Sequence, residues 1–216
     1  MDKYPYIRTL LKIRLEIIQD VKTIIDVGAY LGEFLKDLSQ GWPQSTIHAI
    51  EPLHDCAVRI KELNCSNVII HEMAISNRNG RENFHYELKE KPTASGSIFE
   101  TDTGLKKEVP CMTFASFCDT NKIEDIDLLL INAEGAEYLM FEDEASREKI
   151  LRSKIVDLSM HGKNFFFNTK EYAQKRLDIN NFMISSGYKI IYGDAITGLS
   201  LAPRHVRQVW IRDGAR

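Results

Sequence analysis

The sequence has no apolar run near the roughly 20 residues that a membrane-spanning helix needs, which predicts a chain outside the membrane. Its first residues, Met1-Asp2-Lys3-Tyr4-Pro5, lack the apolar core and small-residue cleavage site of a signal peptide. Cysteine is scarce. Cys56, Cys65, Cys111 and Cys118 form no CxxC, and no His stands at zinc-finger spacing from them. That excludes a structural zinc module and a secreted disulfide knot, and it fits reduced thiols in the cytoplasm. Neither sign of charge dominates. The chain has 28 Lys and Arg against 31 Asp and Glu, a net charge of −3, so it lacks the global basic footprint of a nucleic-acid binder. Internal repeats, domain linkers and the G-x-G-x-x-G of a dinucleotide loop are also missing.

What remains is an ordinary globular composition, 44% hydrophobic and 27% charged over 216 residues. The length predicts a single domain over 1–216. Residues 6–20 place Ile7, Leu10, Leu11, Leu15 and Ile18 on one helical face. Short β-type runs at 23–27, 46–50 and 68–71 alternate with helical patterns at 31–39 and 54–63. This cadence predicts a parallel sheet covered by helices on both faces. The rhythm then breaks over an inserted hairpin and loop region, 77–112. It holds a turn at 77–80, an alternating strand at 82–88, a polar loop at 89–104 and a short edge strand at 109–112, where Pro110 removes a donor. Thr113 reads as an N-cap for a helix to Cys118. Strands follow at 126–131, 154–160, 188–192 and 206–211. Helical segments cover 134–151, with one break, and 171–185, which Gly187 ends.

The most informative stretch is Asp26-Val27-Gly28-Ala29-Tyr30-Leu31-Gly32-Glu33, after the first strand. Gly28 permits a sharp turn and a close ligand, and Gly32 lets a helix pack tightly. Asp26 and Glu33 bring carboxylates to the turn, which suits a cationic or amine-bearing ligand better than a diphosphate. Glu51 ends the second strand 19 residues after Gly32, where Rossmann-like folds place a carboxylate for both ribose hydroxyls. Pro52 fixes the turn after it. Asn132 and Glu134, in Ile131-Asn132-Ala133-Glu134-Gly135-Ala136-Glu137, end an apolar strand at the same sheet edge. His161 closes the next strand beside them and is the candidate base. The other five histidines show no such convergence. Phe165-Phe166-Phe167 reads as core under a loop.

Together these segments resemble the FkbM-type S-adenosylmethionine-dependent methyltransferases. The resemblance rests on DVGAYLG at 26–32, IEP at 50–52, AISNRNG at 74–80, VPCMTFASF at 109–117, INAEGAE at 131–137 and LSMHG at 158–162. It implies the class I methyltransferase fold, an α/β Rossmann-like seven-stranded sheet with the last strand antiparallel. It also implies S-adenosylmethionine as cofactor. Asp26, Gly28 and Ala29 would line its methionine portion, Glu51 its ribose, and the turn of Glu72, Met73, Ala74 and Ser76 its adenine side, with Tyr30, Gly32, Glu33, Pro52 and Asn132 also in the cofactor site. The activity implied is O-methylation of a small hydroxylated molecule such as a sugar or polyketide, with Asn132, Glu134 and His161 on the acceptor side and no metal. A serine-bearing segment, Ala94-Ser95-Gly96-Ser97, would lie near the cleft and close over substrate.

Four positions in three motifs depart from the family pattern: Tyr30 stands for Asn, Leu130 and Asn132 for the Lys and Asp of KID, and Ser159 for the Glu of VELH. The losses at Leu130 and Asn132 keep a second reading in play, a non-catalytic Rossmann-like binding module; a third, a nicotinamide-dependent dehydrogenase, is weakened by the missing G-x-G-x-x-G and the acids at the turn. Neither the acceptor nor a homo-oligomeric state is legible in the chain.

Overall fold

The computed structural model describes residues 20–86, 96–99, 105–161, 169–193 and 205–214. The N-terminal helix expected at 6–20 (Asp20 aside), most of the polar loop at 89–104 and Phe165 to Phe167 lie outside them. The chain runs β1 (Thr23–Val27), α1 (Leu35–Gly41), β2 (Thr46–Ile50), α2 (His54–Glu62), β3 (Val68–His71), β4 (Ala74–Ile75), β5 (Gly80–His85) and β6 (Lys106–Met112). It continues with α3 (Phe114–Thr120), β7 (Ile126–Ile131), α4 (Ala136–Glu142), α5 (Glu144–Ile150), β8 (Ser153–His161), α6 (Thr169–Ser185), β9 (Tyr188–Tyr192) and β10 (His205–Arg212).

Seven strands make one sheet in the order β3-β2-β1-β7-β8-β10-β9. Neighbours from β3 to β8 are parallel, while β10 runs antiparallel to both β8 and β9. One face carries Ile24, Ile47, Leu128, Leu130, Ile155 and Val209, packed with Leu35 and Leu38 of α1 and Ile60 of α2. The other carries Ile25, Val27, Leu129, Ile131, Val156 and Trp210 beneath α3 to α6. All six residues of β7 are buried, as a strand covered on both faces requires.

Two boundaries differ instructively from the sequence pattern. Helix α1 begins at Leu35 rather than Leu31, because Tyr30 and Gly32 both have positive φ, at 52° and 73°, and hold the chain in a turn. The segment at 109–112 is not an edge strand: β6 is the middle of a second sheet, β4-β6-β5. Pro110 is tolerated because β4 pairs only with Cys111 and Met112. The helical break falls at Asp143, whose carboxylate caps α5 by accepting from Ser146 N at 2.9 Å. Thr113 caps α3 in the same way.

Strand order reverses between β1 and β7, so the connections leaving their carboxyl ends turn to opposite faces of the sheet and leave a crevice. Among the described residues, no helix is long and apolar enough to cross a membrane.

Candidate active site

A cleft of about 940 Å³, its open mouth included, fills the crevice. Its walls come from three places. The turn after β1 supplies Gly28, Ala29, Tyr30, Glu33 and Phe34, the turn after β2 supplies Glu51, Pro52 and Leu53, and the end of β7 supplies Asn132, Ala133 and Glu134. The second sheet and the segment beside it roof one side with Met73, Ala74, Ile75, Phe84, Gly96 and Ile98.

Gly28 is required where β1 meets β7. Its φ is +87°, and a Cβ there would sit 2.1 Å from the Asn132 carbonyl oxygen. The close approach is sealed by Asn132 N donating to Val27 O at 2.9 Å. Gly32 serves packing instead: a Cβ would meet Leu63 Cδ1 at 2.7 Å, and the residue does not line the cleft.

Glu51 is buried at the floor. Its Oε2 accepts from Tyr30 N and its Oε1 from Leu53 N, each at 2.9 Å. A carboxylate offers about four lone-pair positions, so two remain for a diol. Burial pushes the Glu51 carboxyl up to about 7, against the pull of the Leu53 and Tyr30 amides, and the nearby Asp26 adds to the rise. Tyr30 holds its amide in place through a left-handed backbone that asparagine adopts far more readily than tyrosine. Tyr30→Asn is therefore expected to stabilise the fold by about 1 kcal/mol, since the strain falls while the N–H to Glu51 stays. Denaturant melts check the gain; a loss of stability would mean that the tyrosine ring matters more than its backbone.

Asp26 is buried behind the lining rather than in it. Strand alternation turns it toward the α1 face, in register with Leu130 of β7 and through it with Asp157 of β8. Arg207 pairs with both carboxylate oxygens of Asp157 at 2.7 Å. Burial raises Asp26 to about 7; Arg207 opposes that shift and Asp157 reinforces it. Of the turn 72–76, Met73 and Ala74 line the cleft. Glu72 is engaged by His54 at 2.8 Å and Lys61 at 3.0 Å, and Ser76 is buried outside the lining.

The loop after β7 folds into a closed ring of contacts. Glu134 and Gly135 both have positive φ, 48° and 107°. Glu137, three residues after Glu134, is fully buried. Its Oε2 accepts from Gly135 N at 2.8 Å, and its Oε1 accepts from His161 N at 2.7 Å and contacts His161 Nδ1 at 2.9 Å. His161 Nε2 then faces Glu134 Oε1 at 3.4 Å. Burial pulls the His161 imidazole down, but the charge and hydrogen bond of Glu137 and the charge of Glu134 outweigh it and leave the pKa above its ordinary value. Burial raises Glu134, with His161 opposing and Glu137 adding to the shift. Behind the ring, Tyr138 OH donates to His161 O at 2.5 Å, and the buried Arg176 donates to Tyr138 OH and to Met160 O.

Asn132 and Glu134 thus line the cleft, and His161 reaches it through Glu134. The sequence places Glu137 in the INAEGAE motif without a role, and gives no signal for Tyr138 or Arg176. His48 and His71, unrelated in sequence spacing, stack with Nδ1 and Nε2 3.0 Å apart against Phe117, away from the cleft lining. Among the described residues no His, Cys, Asp and Glu group could hold a metal.

The model of the methyltransferase FkbM domain matches residues 26–190, from the first strand of the site to the ninth. The chain belongs to the FkbM methyltransferase family. No curated protein matches by sequence. Solved structures share its fold at low identity. An rRNA methylase from Streptococcus thermophilus is 11% identical, with 98% of each chain covered and a TM-score of 0.53. A Streptococcus mutans methyltransferase in complex with S-adenosylhomocysteine is 11% identical, covers 98% of this chain and 100% of its own, and has a TM-score of 0.52. The plantazolicin methyltransferase, in complex with a desmethyl-plantazolicin analogue and S-adenosylhomocysteine, is 14% identical, covers 97% and 85%, and has a TM-score of 0.50. The fold is that of the class I methyltransferases, and the cofactor of this FkbM enzyme is S-adenosylmethionine. The cleft suits it: Glu51 keeps two lone-pair positions for a ribose diol, and the acids Glu33, Glu51 and Glu134 suit a sulfonium cation.

Proposed function

We propose that this FkbM enzyme methylates a hydroxyl oxygen of a small, uncharged or amine-bearing molecule. The observation that carries the reading is the Glu137–His161–Glu134 chain ending at the cleft wall. S-adenosylmethionine, when bound, supplies the methyl group from its sulfonium. The residues do the rest. Glu51 and the amide-rich turn after β1 hold the cofactor, with Gly28, Ala29, Tyr30, Glu33 and Asn132 around its methionine portion. Pro52 would lie beside the ribose, and Met73 and Ala74 would line the adenine side. Glu137 keeps the Nδ1 proton of a neutral His161, which leaves the Nε2 lone pair directed at Glu134. The acceptor's O–H proton would pass to Glu134 and on to His161 Nε2 as the oxygen takes the methyl group and the methyl–sulfur bond breaks to leave S-adenosylhomocysteine, and the Asn132 side chain would orient the acceptor. Much of the rate comes from holding the acceptor oxygen in line with the methyl group.

Charge supports a small acceptor over RNA. Of the described residues lining the cleft, three are Glu and none is Lys or Arg, and a phosphate backbone needs cations. The deciding experiment incubates the enzyme with S-adenosylmethionine and separate panels of sugars, polyketide alcohols, aminoalcohols and rRNA fragments, with products read by mass spectrometry and NMR. O-methylated small molecules with unmodified RNA are expected. Methyl groups on RNA, or on nitrogen or carbon, would overturn the reading.

A further inference from the structure

The second sheet does more than roof the cleft. Residues 96–99 cross from it to the loop after β7. On the sheet side, Ser97 and His85 exchange both backbone hydrogen bonds, at 2.7 and 2.8 Å. On the loop side, the buried Ser97 hydroxyl donates to the Glu134 carbonyl at 2.7 Å while it accepts from Phe99 N at 3.1 Å. The Phe99 ring lies on Gly135 so closely that a Cβ there would fall 2.8 Å from it. Gly96 is pressed on Phe84 in the same manner, with a Cβ 2.3 Å from the ring.

The point of attachment is informative. Glu134 has the left-handed backbone that a glutamate seldom adopts. Such a conformation persists only when its surroundings fix it. Glu137 and Ser97 hold the same Glu134–Gly135 peptide from its two sides, Glu137 accepting from Gly135 N and Ser97 donating to the Glu134 carbonyl. If that carbonyl rotates, the Glu134 side chain leaves the line between the cleft and His161 Nε2. We infer that Ser97 is a positioning residue: residues 96–99 form a strap that pins the Glu134 carbonyl and so aims the Glu134 carboxylate at His161 and at the acceptor. The inference deepens the proposed O-methylation, on which its catalytic meaning rests, but the geometry it asserts can be read without turnover.

The test follows the His161 imidazole by NMR titration in the full chain, in the wild type and in Glu134→Gln, Ser97→Ala and Ser97→Thr variants. Among the described residues, this imidazole is faced by Glu134 and Glu137, with Arg176 and Tyr138 behind. Glu134→Gln removes one charge that raises its pKa, so His161 is expected to titrate about half a pH unit or more lower. Ser97→Ala is expected to reproduce part of that fall, because one of the two anchors of the Glu134–Gly135 peptide is lost while Glu137 keeps the other. Ser97→Thr keeps the hydroxyl and is expected to restore the wild-type titration. If Ser97→Ala does not fold, Ser97→Cys, close in size and a poorer donor, is expected to give a smaller fall. A folded Ser97→Ala or Ser97→Cys protein with an unchanged His161 titration overturns the inference, as does a Glu134→Gln protein whose His161 does not move. Calorimetry with S-adenosylhomocysteine on the same proteins separates the two levels. Its absence of heat in the wild type would sink the methyltransferase reading and leave the titration result standing.

Discussion

His161→Ala is expected to lower kcat by about 10² to 10⁴, the range for a lost general base, once an acceptor has been found in the product screen. The neutral imidazole that carries this effect is available only above its pKa, which Glu137 and Glu134 hold above the ordinary histidine value. The sign follows: wild-type kcat falls on acidification, along a limb that lies higher than an unperturbed histidine would place it. Glu137→Gln removes the charge behind Nδ1 and is expected to move that limb to lower pH. Cofactor affinity should change less than about twofold in His161→Ala, because His161 lies outside the cleft lining. The fold should hold, since Glu137 keeps its bonds to Gly135 N and to the backbone N of residue 161. Full kcat in a folded His161→Ala protein would make the histidine a structural strut, with proximity alone carrying the reaction.

The parts of this site differ in how far the sequence reveals them, and the reason is physical. Strands at 23–27, 46–50, 68–71, 126–131 and 188–192 stand where their apolar runs end, because a strand between two helical layers has no freedom to stop elsewhere. Glu51 could be anticipated in place, since its position follows from strand length alone. Side-chain direction could not. Asp26 ends a strand at the binding edge, yet the alternation of β1 turns it to the α1 face and into the company of Asp157 and Arg207. The same holds for Glu134 and Glu137. Spacing shows two acids around a glycine, but two successive left-handed residues send one to the cleft and fold the other back beneath His161. Pro110 misleads because its missing donor matters only where a partner is present, and β4 is two residues long. Ser97 stands near the acids only through the tertiary path of the second sheet, which no local pattern encodes.

Glu51→Ala is expected to weaken S-adenosylhomocysteine binding by about 2–3 kcal/mol, the cost of removing a charged acceptor from two hydrogen bonds, or about 30- to 150-fold in Kd. The substitution also strips Tyr30 N and Leu53 N of their acceptor in a buried place. Glu51→Gln is no milder, because its amide must point a donor at one of those two donors. The wild-type carboxyl, raised to about 7, adds a pH signature. Both ribose hydroxyls need an acceptor and the ionised form is the better one, so affinity should tighten by about tenfold between pH 6 and 8. In the free protein the sign reverses. Between about 4.5 and 7 the folded state holds a proton on Glu51 that the unfolded chain has lost, so this residue's contribution to stability declines as pH rises through that window. The rise in melting temperature on adding S-adenosylhomocysteine should therefore be larger at pH 8 than at pH 6, and the difference should vanish in Glu51→Gln. A Kd unchanged in Glu51→Ala, with intact circular dichroism, would show that another residue receives the ribose.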